Sequence, residues 1–458
     1  HEIMFIRFAM PHPQSRRRFL SRSAALAAPL ILPGRIFGKD GTVAPGSRVR
    51  LAAIGVGGMG TGNLQSFLND ERVQVVAVCD VDATHREAAR SIEAWMREAG
   101  MAVRTDGAGS VIGRYEGAGP GAKVLVTGSH YDSVRNGGKY DGILGILVPI
   151  ACVAQLHGRG ERLPHAIEVV AFADEEGARF QTSFLASRAF LGSFDEALRE
   201  RRDEDGISFD EAMGAAGLDP AAIAAHPCDP ASIAAYVEVH IEQGPVLLDA
   251  GLALGVVTAI AGGTRERIRV TGAPGHAGTV PMAMRRDALA AAAEMVGAVE
   301  ARARSVPGLV GTVGLLVVKD GTGNVIPGEV EFTVDIRSVD DAVREAAERD
   351  VAAAFGEIAA RRRVTVSAAR SHAVRATACD ARLQDLLAES VVAVGAGKRR
   401  LPSGAGHDAM VMAQVAPVGM LFVRCGAGGV SHNPAETVDE ADAGSAALAL
   451  LDFFRRFR

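Results

Sequence analysis

Short apolar runs of strand length alternate with longer, periodically apolar stretches over most of this chain. Residues 49–56 (VRLAAIGV) predict a buried strand, 61–69 the start of a helix, and 73–79 (VQVVAVC) a second strand. From Ile92 the text becomes IEAWMREAGMAVRTDGAGSVIGRYEG, an amphipathic helix, a strand and a turn-rich hairpin with Gly107, Gly109 and Gly113. The change of pattern falls near 84–92, inside what reads as one helix. Between 122 and 260, AKVLVTGSH, AIEVVAFADEE and AAYVEVHIEQG predict buried strands, with a helix at 141–157 after the first. A second pattern covers 256–371, with helices at 285–304 and 340–360 set among antiparallel-looking strands at 310–318 and 329–337. From 380 the first pattern resumes with a helix, the strand VGMLFVRC and a closing helix at 441–456.

The expected fold class is α/β, one α/β domain interrupted by a smaller α+β domain. The boundaries read as a leader and linker at 1–47, a β-α-β fragment at 48–90, the main domain at 91–255 and 372–458, and the insertion at 256–371. A chain of 458 residues calls for two or three domains. A net charge of −5 and only 5% aromatic residues argue against nucleic acid or an anionic membrane as a partner. The five cysteines are scattered with no C-x-x-C, which argues against thiolate metal sites and a disulfide framework.

The stretch LAAIGVGGMGTGN places Gly55, Gly57 and Gly60 at G-x-G-x-x-G spacing, with Asp80 where a ribose-binding acid belongs. Residues 15–90 resemble the start of glucose–fructose-oxidoreductase-like dehydrogenases, which implies an NAD(P)-dependent oxidoreductase as a rival reading. Against it, the β-α repetition stops after the second strand. Upstream, SRRRFLSRSAALAAPLILPGRIFG has the paired arginine, Phe-Leu and short apolar segment of a twin-arginine export leader. That leader predicts a periplasmic protein; without it the expectation is cytoplasmic.

Histidines and carboxylates gather at the ends of the predicted strands. VTGSHYDSV carries His130 and Asp132, GGKYDGILG carries Asp141, and VVAFADEEGARF carries Glu175 and Glu176. YVEVHIEQG carries His240 and GGVSHNPAE carries His432. The carboxyl ends of strands are where open α/β sheets build their sites. Imidazole and carboxylate without thiolate suit zinc or manganese, and also cobalt or nickel. Three histidines and two carboxylates suit two divalent ions sharing a bridging group. In a Glu-Glu pair, one residue can bind the metal while its neighbour takes a proton from water.

These segments resemble the dinuclear-metal amidohydrolase and peptidase family that includes allantoate amidohydrolases and N-carbamoyl-L-amino-acid hydrolases, over about residues 90–458. The resemblance implies that His130 and His240 hold one ion and Glu176 and His432 the other, with Asp141 between them. It makes Glu175 the general base and Asp132 the residue that orients His130. In GAPGHAGTVPMAMRRDAL it implies that His276 reaches a partner subunit's site and stabilises the oxyanion, so that the insertion forms a homodimer. Asn324 and Arg337, in GTGNVIPGEVEFTVDIR, would hold the substrate's carboxylate, and Gln243 would contact substrate. His407 and Asp408 lie in a matched segment, SGAGHDAM, without an assigned role.

The phrases in the insertion and near the C-terminus are most similar to allantoate amidohydrolases. The implied reaction is hydrolysis of the ureido C–N bond of allantoate, with release of ammonia and carbon dioxide. The alternative is decarbamoylation of N-carbamoyl-L-amino acids, which needs the same carboxylate anchor beside a ureido carbon. A binding protein without catalysis is disfavoured, because the full ligand set and the base are present. His85, His157, His165, His226 and His372 are expected at the surface, and the arginine runs near 199–202 and at 361–363 on solvated faces.

Overall fold

The computed structural model describes residues 85–224 and 228–458, together with two strands, β1 (Val49–Ile54) and β2 (Val73–Cys79). These two strands pair in parallel as a separate two-stranded sheet. The leader segment, Gly55, Gly57, Gly60 and Asp80 lie outside the described residues. Helix α1 (His85–Glu98) runs through the point where the sequence pattern changes. No helix among the described residues is long and apolar enough to cross a membrane.

The chain divides into two compact units. The first holds the residues up to Gly255, Leu386–Lys398 and Leu421–Arg458; the second holds Val256–Asp385 and Arg399–Met420.

In the first unit a hairpin of β3 (Ala102–Thr105) and β4 (Val111–Tyr115) leads into β5 (Val124–His130). Helix α2 (Leu144–Gly158), β6 (Ala166–Phe172) and β7 (Ile233–Ile241) follow. The strand order is β7-β5-β6-β4-β3, with β5 parallel to both β6 and β7 and β4 antiparallel to β6. Every residue of β5 and β6 is buried, which explains why they read as unbroken apolar runs rather than alternating ones. Gly113 lies within β4, where a Cβ would meet the Met96 and Met101 sulfurs, and not in the turn. The turn is made instead by the Asp106 carboxylate, which accepts from Ala108 N and Ser110 N.

In the second unit, β8 (Leu254–Ile260) precedes β9 (Gly262–Thr271) and the two-residue β10 (Gly275–His276). Helix α3 (Ala288–Arg304), β11 (Val310–Thr312), β12 (Leu316–Val318) and β13 (Val325–Ile326) come next. The unit continues through β14 (Glu329–Ser338), α4 (Asp341–Arg362) and β15 (Thr365–Val374). The main sheet here is antiparallel, in the order β11-β14-β9-β15. Along β14 burial alternates strictly, so Val330, Phe332, Val334 and Ile336 enter the core with the apolar residues of α3 and α4. Arg337 and Asp335 therefore stand on the opposite face. The strand expected at 310–318 is two pieces, because the Leu315 amide bonds to the Thr333 side chain between them. Helix α3 starts at Ala288 and not 285, because Asp287 caps it through Ala290 N. Strands β16 (Thr377–Ala378) and β17 (Arg400–Ser403) pair with β8, antiparallel and parallel respectively.

The chain re-enters the first unit at Leu421, within β18 (Val418–Val423), and ends in α5 (Glu440–Arg456). Helix α5 lies on α2, with the Cys152 thiol donating to the Ala447 carbonyl. Two arginine–carboxylate forks pin it, Arg455 on Glu161 and Arg424 on Asp442. Helix α2 is buried along most of its length, consistent with its lack of a polar stripe.

Candidate metal centre

Three parallel strands deliver the cluster. His130 is the last residue of β5, Glu175 and Glu176 follow β6, and His240 is one residue from the end of β7. Asp141 precedes α2, and His432 sits between β18 and α5. All belong to the first unit.

Asp141 is the hub. Its Oδ1 lies 3.4 Å from His240 Nε2 and 3.9 Å from His130 Nε2. Its Oδ2 lies 3.1 Å from His432 Nε2, which is also 3.3 Å from Glu176 Oε1. The donors thus fall into two groups, His130–Asp141–His240 and Asp141–Glu176–His432, with atoms within 4.8 Å of one another in each. His130 Nδ1 donates to the Asp132 carbonyl at 3.0 Å, and His240 Nδ1 to the Ile241 carbonyl at 2.9 Å. Both bonds leave Nε2 facing Asp141 and fix the tautomer that presents a lone pair there. Buried Glu176 Oε1 faces the His432 ring and has no other polar partner. The donor set is therefore oriented and rich in carboxylates, which fits divalent cations.

The local field has the same sign. Asp141 and Glu176 lift the His432 imidazole to about 10, against its partial burial. Burial disfavours the charged form of His130, but Asp132, Glu175 and Asp141 outweigh it and raise its pKa well above the ordinary value. The three imidazoles hold Asp141 well below the usual carboxylate range, although burial opposes this.

Asp132 does more than face His130. Its two oxygens accept from the backbone N–H groups of Glu175 and Glu176, at 3.0 and 3.1 Å, and so set where both glutamates sit. Gly142, at φ +67, follows Asp141; a Cβ there would come within 2.5 Å of the His130 ring, so only glycine lets the two ligands approach. Gln243 and His432 also have left-handed backbones, at φ +56 and +53. In residues other than glycine such backbone costs on the order of 1 kcal/mol and concentrates at functional sites. Gln243 Nε2 donates to both Asp141 oxygens, at 3.0 and 3.2 Å.

Two structural groups were not singled out from the sequence. Glu436, fully buried, accepts from Tyr140 N and Asp141 N with one oxygen and from the Ser431 hydroxyl with the other. It thereby braces the chain before Asp141 against the chain before His432. Below the site, buried Glu238 accepts from the Ser129 hydroxyl at 2.7 Å and from the Tyr236 hydroxyl at 3.2 Å, tying β7 to β5. An acid four residues after a histidine, or one alternating within a strand, gives no sequence signal that separates it from a solvated charge.

In the second unit, His276 in β10 is exposed and pairs in register with Val325 of β13. Its Nδ1 accepts from Gly278 N at 3.0 Å, leaving Nε2 as the donor. The Asn324 carbonyl accepts from Ala277 N, so His276 and Asn324 are close neighbours. Arg337 forks onto Asp335, at 2.8 and 3.1 Å, and donates from Nη1 to the Gly404 carbonyl. His407 and Asp408 are buried, with the His407 ring 2.8 Å from the Ser403 hydroxyl. His165, expected at the surface, is also buried, against the Phe457 ring.

A model of peptidase family M20/M25/M40 matches residues 126–456. A probable allantoate deiminase of Oryza sativa subsp. japonica is 39% identical over 98% of this chain and 96% of its own length. An N-carbamoyl-L-amino acid amidohydrolase of Geobacillus stearothermophilus is 43% identical over 79% of this chain and 88% of its own. Among solved structures, an amidase of the hydantoinase/carbamoylase family from Burkholderia multivorans superposes with a TM-score of 0.77 at 36% identity, covering 82% of this chain and 92% of that one. None of these three relatives is a dehydrogenase.

Proposed function

This chain belongs to peptidase family M20/M25/M40, and from that premise we propose that it hydrolyses the ureido C–N bond of allantoate, releasing ammonia and carbon dioxide. It is a hydrolase of carbon–nitrogen bonds, like the relatives just described. The observation that carries the proposal is Asp141, whose two oxygens face separate donor groups. His130 and His240 would hold one divalent ion, zinc or manganese, and Glu176 and His432 a second, with Asp141 shared. Two such ions, when bound, polarise a carbonyl oxygen and lower the pKa of water.

The chain's own residues supply the rest. Glu175, placed by Asp132, accepts the proton of the attacking water and returns it to the departing nitrogen. His276 donates from Nε2 to the developing oxyanion, from the inserted unit of a second copy in a homodimer. Arg337, held flat by Asp335, grips the substrate's carboxylate, Asn324 joins it from beside His276 of the second copy, and Gln243 contacts the ureido group. Export follows if the twin-arginine segment acts as a leader; the alternative is a cytoplasmic enzyme.

Hydrolysis of N-carbamoyl-L-amino acids is the second reading, favoured by the Geobacillus stearothermophilus relative. Ammonia release from allantoate and from N-carbamoyl amino acids, after adding manganese, zinc or cobalt, decides between them. Turnover of allantoate is expected; no turnover of either substrate with any metal would overturn the proposal.

A further inference from the structure

The arginine run at 361–363 is solvent-exposed, as its sequence implies, with Arg362 half-buried. With Arg285 it lines an open pocket of about 330 Å³ in the second unit, together with Met282, Ala283, Asp287 and Ala290. Four arginines thus share one pocket lining. Arg361 and Arg362 converge on one carboxylate, Glu294, and pull it down to about 2. Arg363, the left-handed cap of α4, donates to the Ala283 carbonyl. Arg285 donates to the Val280 and Ala277 carbonyls.

Two features make this an anion site in physical terms. First, charge is not balanced: the single carboxylate of Glu294 serves Arg361 and Arg362, and Asp287 is engaged as the cap of α3. Second, Arg285 and Arg363 are held by backbone carbonyls, which fix their planar forks without neutralising them. Forks already held in place lose less side-chain entropy on binding a ligand. The pocket has the size of a small-molecule site, and its excess of charge matches a tetrahedral dianion.

We propose that this pocket binds a phosphate group, free or carried by a small metabolite, at a site separate from the metal cluster. The proposal goes beyond the hydrolytic reading and does not depend on it.

The test is calorimetric titration of the metal-loaded protein at low salt, with inorganic phosphate and with glycerol 3-phosphate. Arg363→Asn, which suits the left-handed backbone, and Arg361→Lys, which keeps the charge but loses the fork, are titrated in parallel. Saturable binding is expected, weakened roughly tenfold in either variant through loss of a bidentate contact. Tighter binding of the ester assigns the site to a phosphorylated metabolite; tighter binding of the free ion assigns it to inorganic phosphate. The proposal is overturned by no saturable binding up to about 10 mM, or by binding that is equal in both variants and lost when the metals are stripped.

Discussion

Glu175 and Glu176 are adjacent in the chain, yet their surroundings separate their tasks. Glu176 points its buried Oε1 at His432, whereas Glu175 is fixed through its amide by Asp132. Replacing Glu175 with Gln should leave metal content unchanged while lowering kcat by about 10²–10⁴-fold, the usual worth of a general base. Elemental analysis beside steady-state kinetics checks this, and undiminished turnover would remove Glu175 as the base. Gly142→Ala makes the opposite prediction. The added methyl meets the His130 ring, so metal affinity should fall, by about ten- to a hundredfold if the disturbance equals loss of an orienting partner. Competition with a chromophoric chelator measures it; unchanged affinity would show that the ring can move aside.

At the scale of elements, the site stands on the register of β5 against β7. Tyr236 donates to the Gly128 carbonyl and contacts Glu238, which also accepts from Ser129, the neighbour of His130. Tyr236→Phe leaves buried oxygens without their donor and should cost about 1–3 kcal/mol, read as a lower midpoint in urea. The strand ends themselves were legible in the sequence, because a parallel strand buried on both faces reads as an apolar run and its polar residues then appear together at one end. His130, the Glu pair and His240 meet for that reason, and Asp141 before α2 and His432 before α5 are brought to them by the loops. Glu436 and Glu238 were not legible. Their partners are Tyr140, Asp141, Ser431, Ser129 and Tyr236, and only the folded chain brings most of these groups near them. The split of 310–318 into two strands was hidden likewise, since it depends on Thr333 across the sheet.

For the molecule as a whole, a buried imidazole gives a pH signature. Burial, with Arg458 nearby, pushes His165 down to about 4 from an ordinary value near 6.5. The unfolded chain therefore takes up this proton before the folded one does. The contribution of His165 is complete above pH 6.5 and is lost as pH falls toward 4. Melting temperatures from pH 7 to 4 should fall less steeply for His165→Phe than for the parent; parallel curves would exclude the residue as a source of acid sensitivity. Surface exposure was the natural expectation for a lone histidine, and only the packing of Phe457 at the chain's end makes it core.

The ligands are drawn from positions 130, 141, 176, 240 and 432, so the last of them leaves the ribosome nearly 200 residues after the fourth. Asp141 meets His432 across nearly 300 residues. Contacts of such separation form late in folding. A nascent chain can thus offer a passing cation the first group, His130, Asp141 and His240, before it can offer the second, which needs His432. Filling of the second group would therefore wait for His432, and would be set by whichever ion is available where that segment folds.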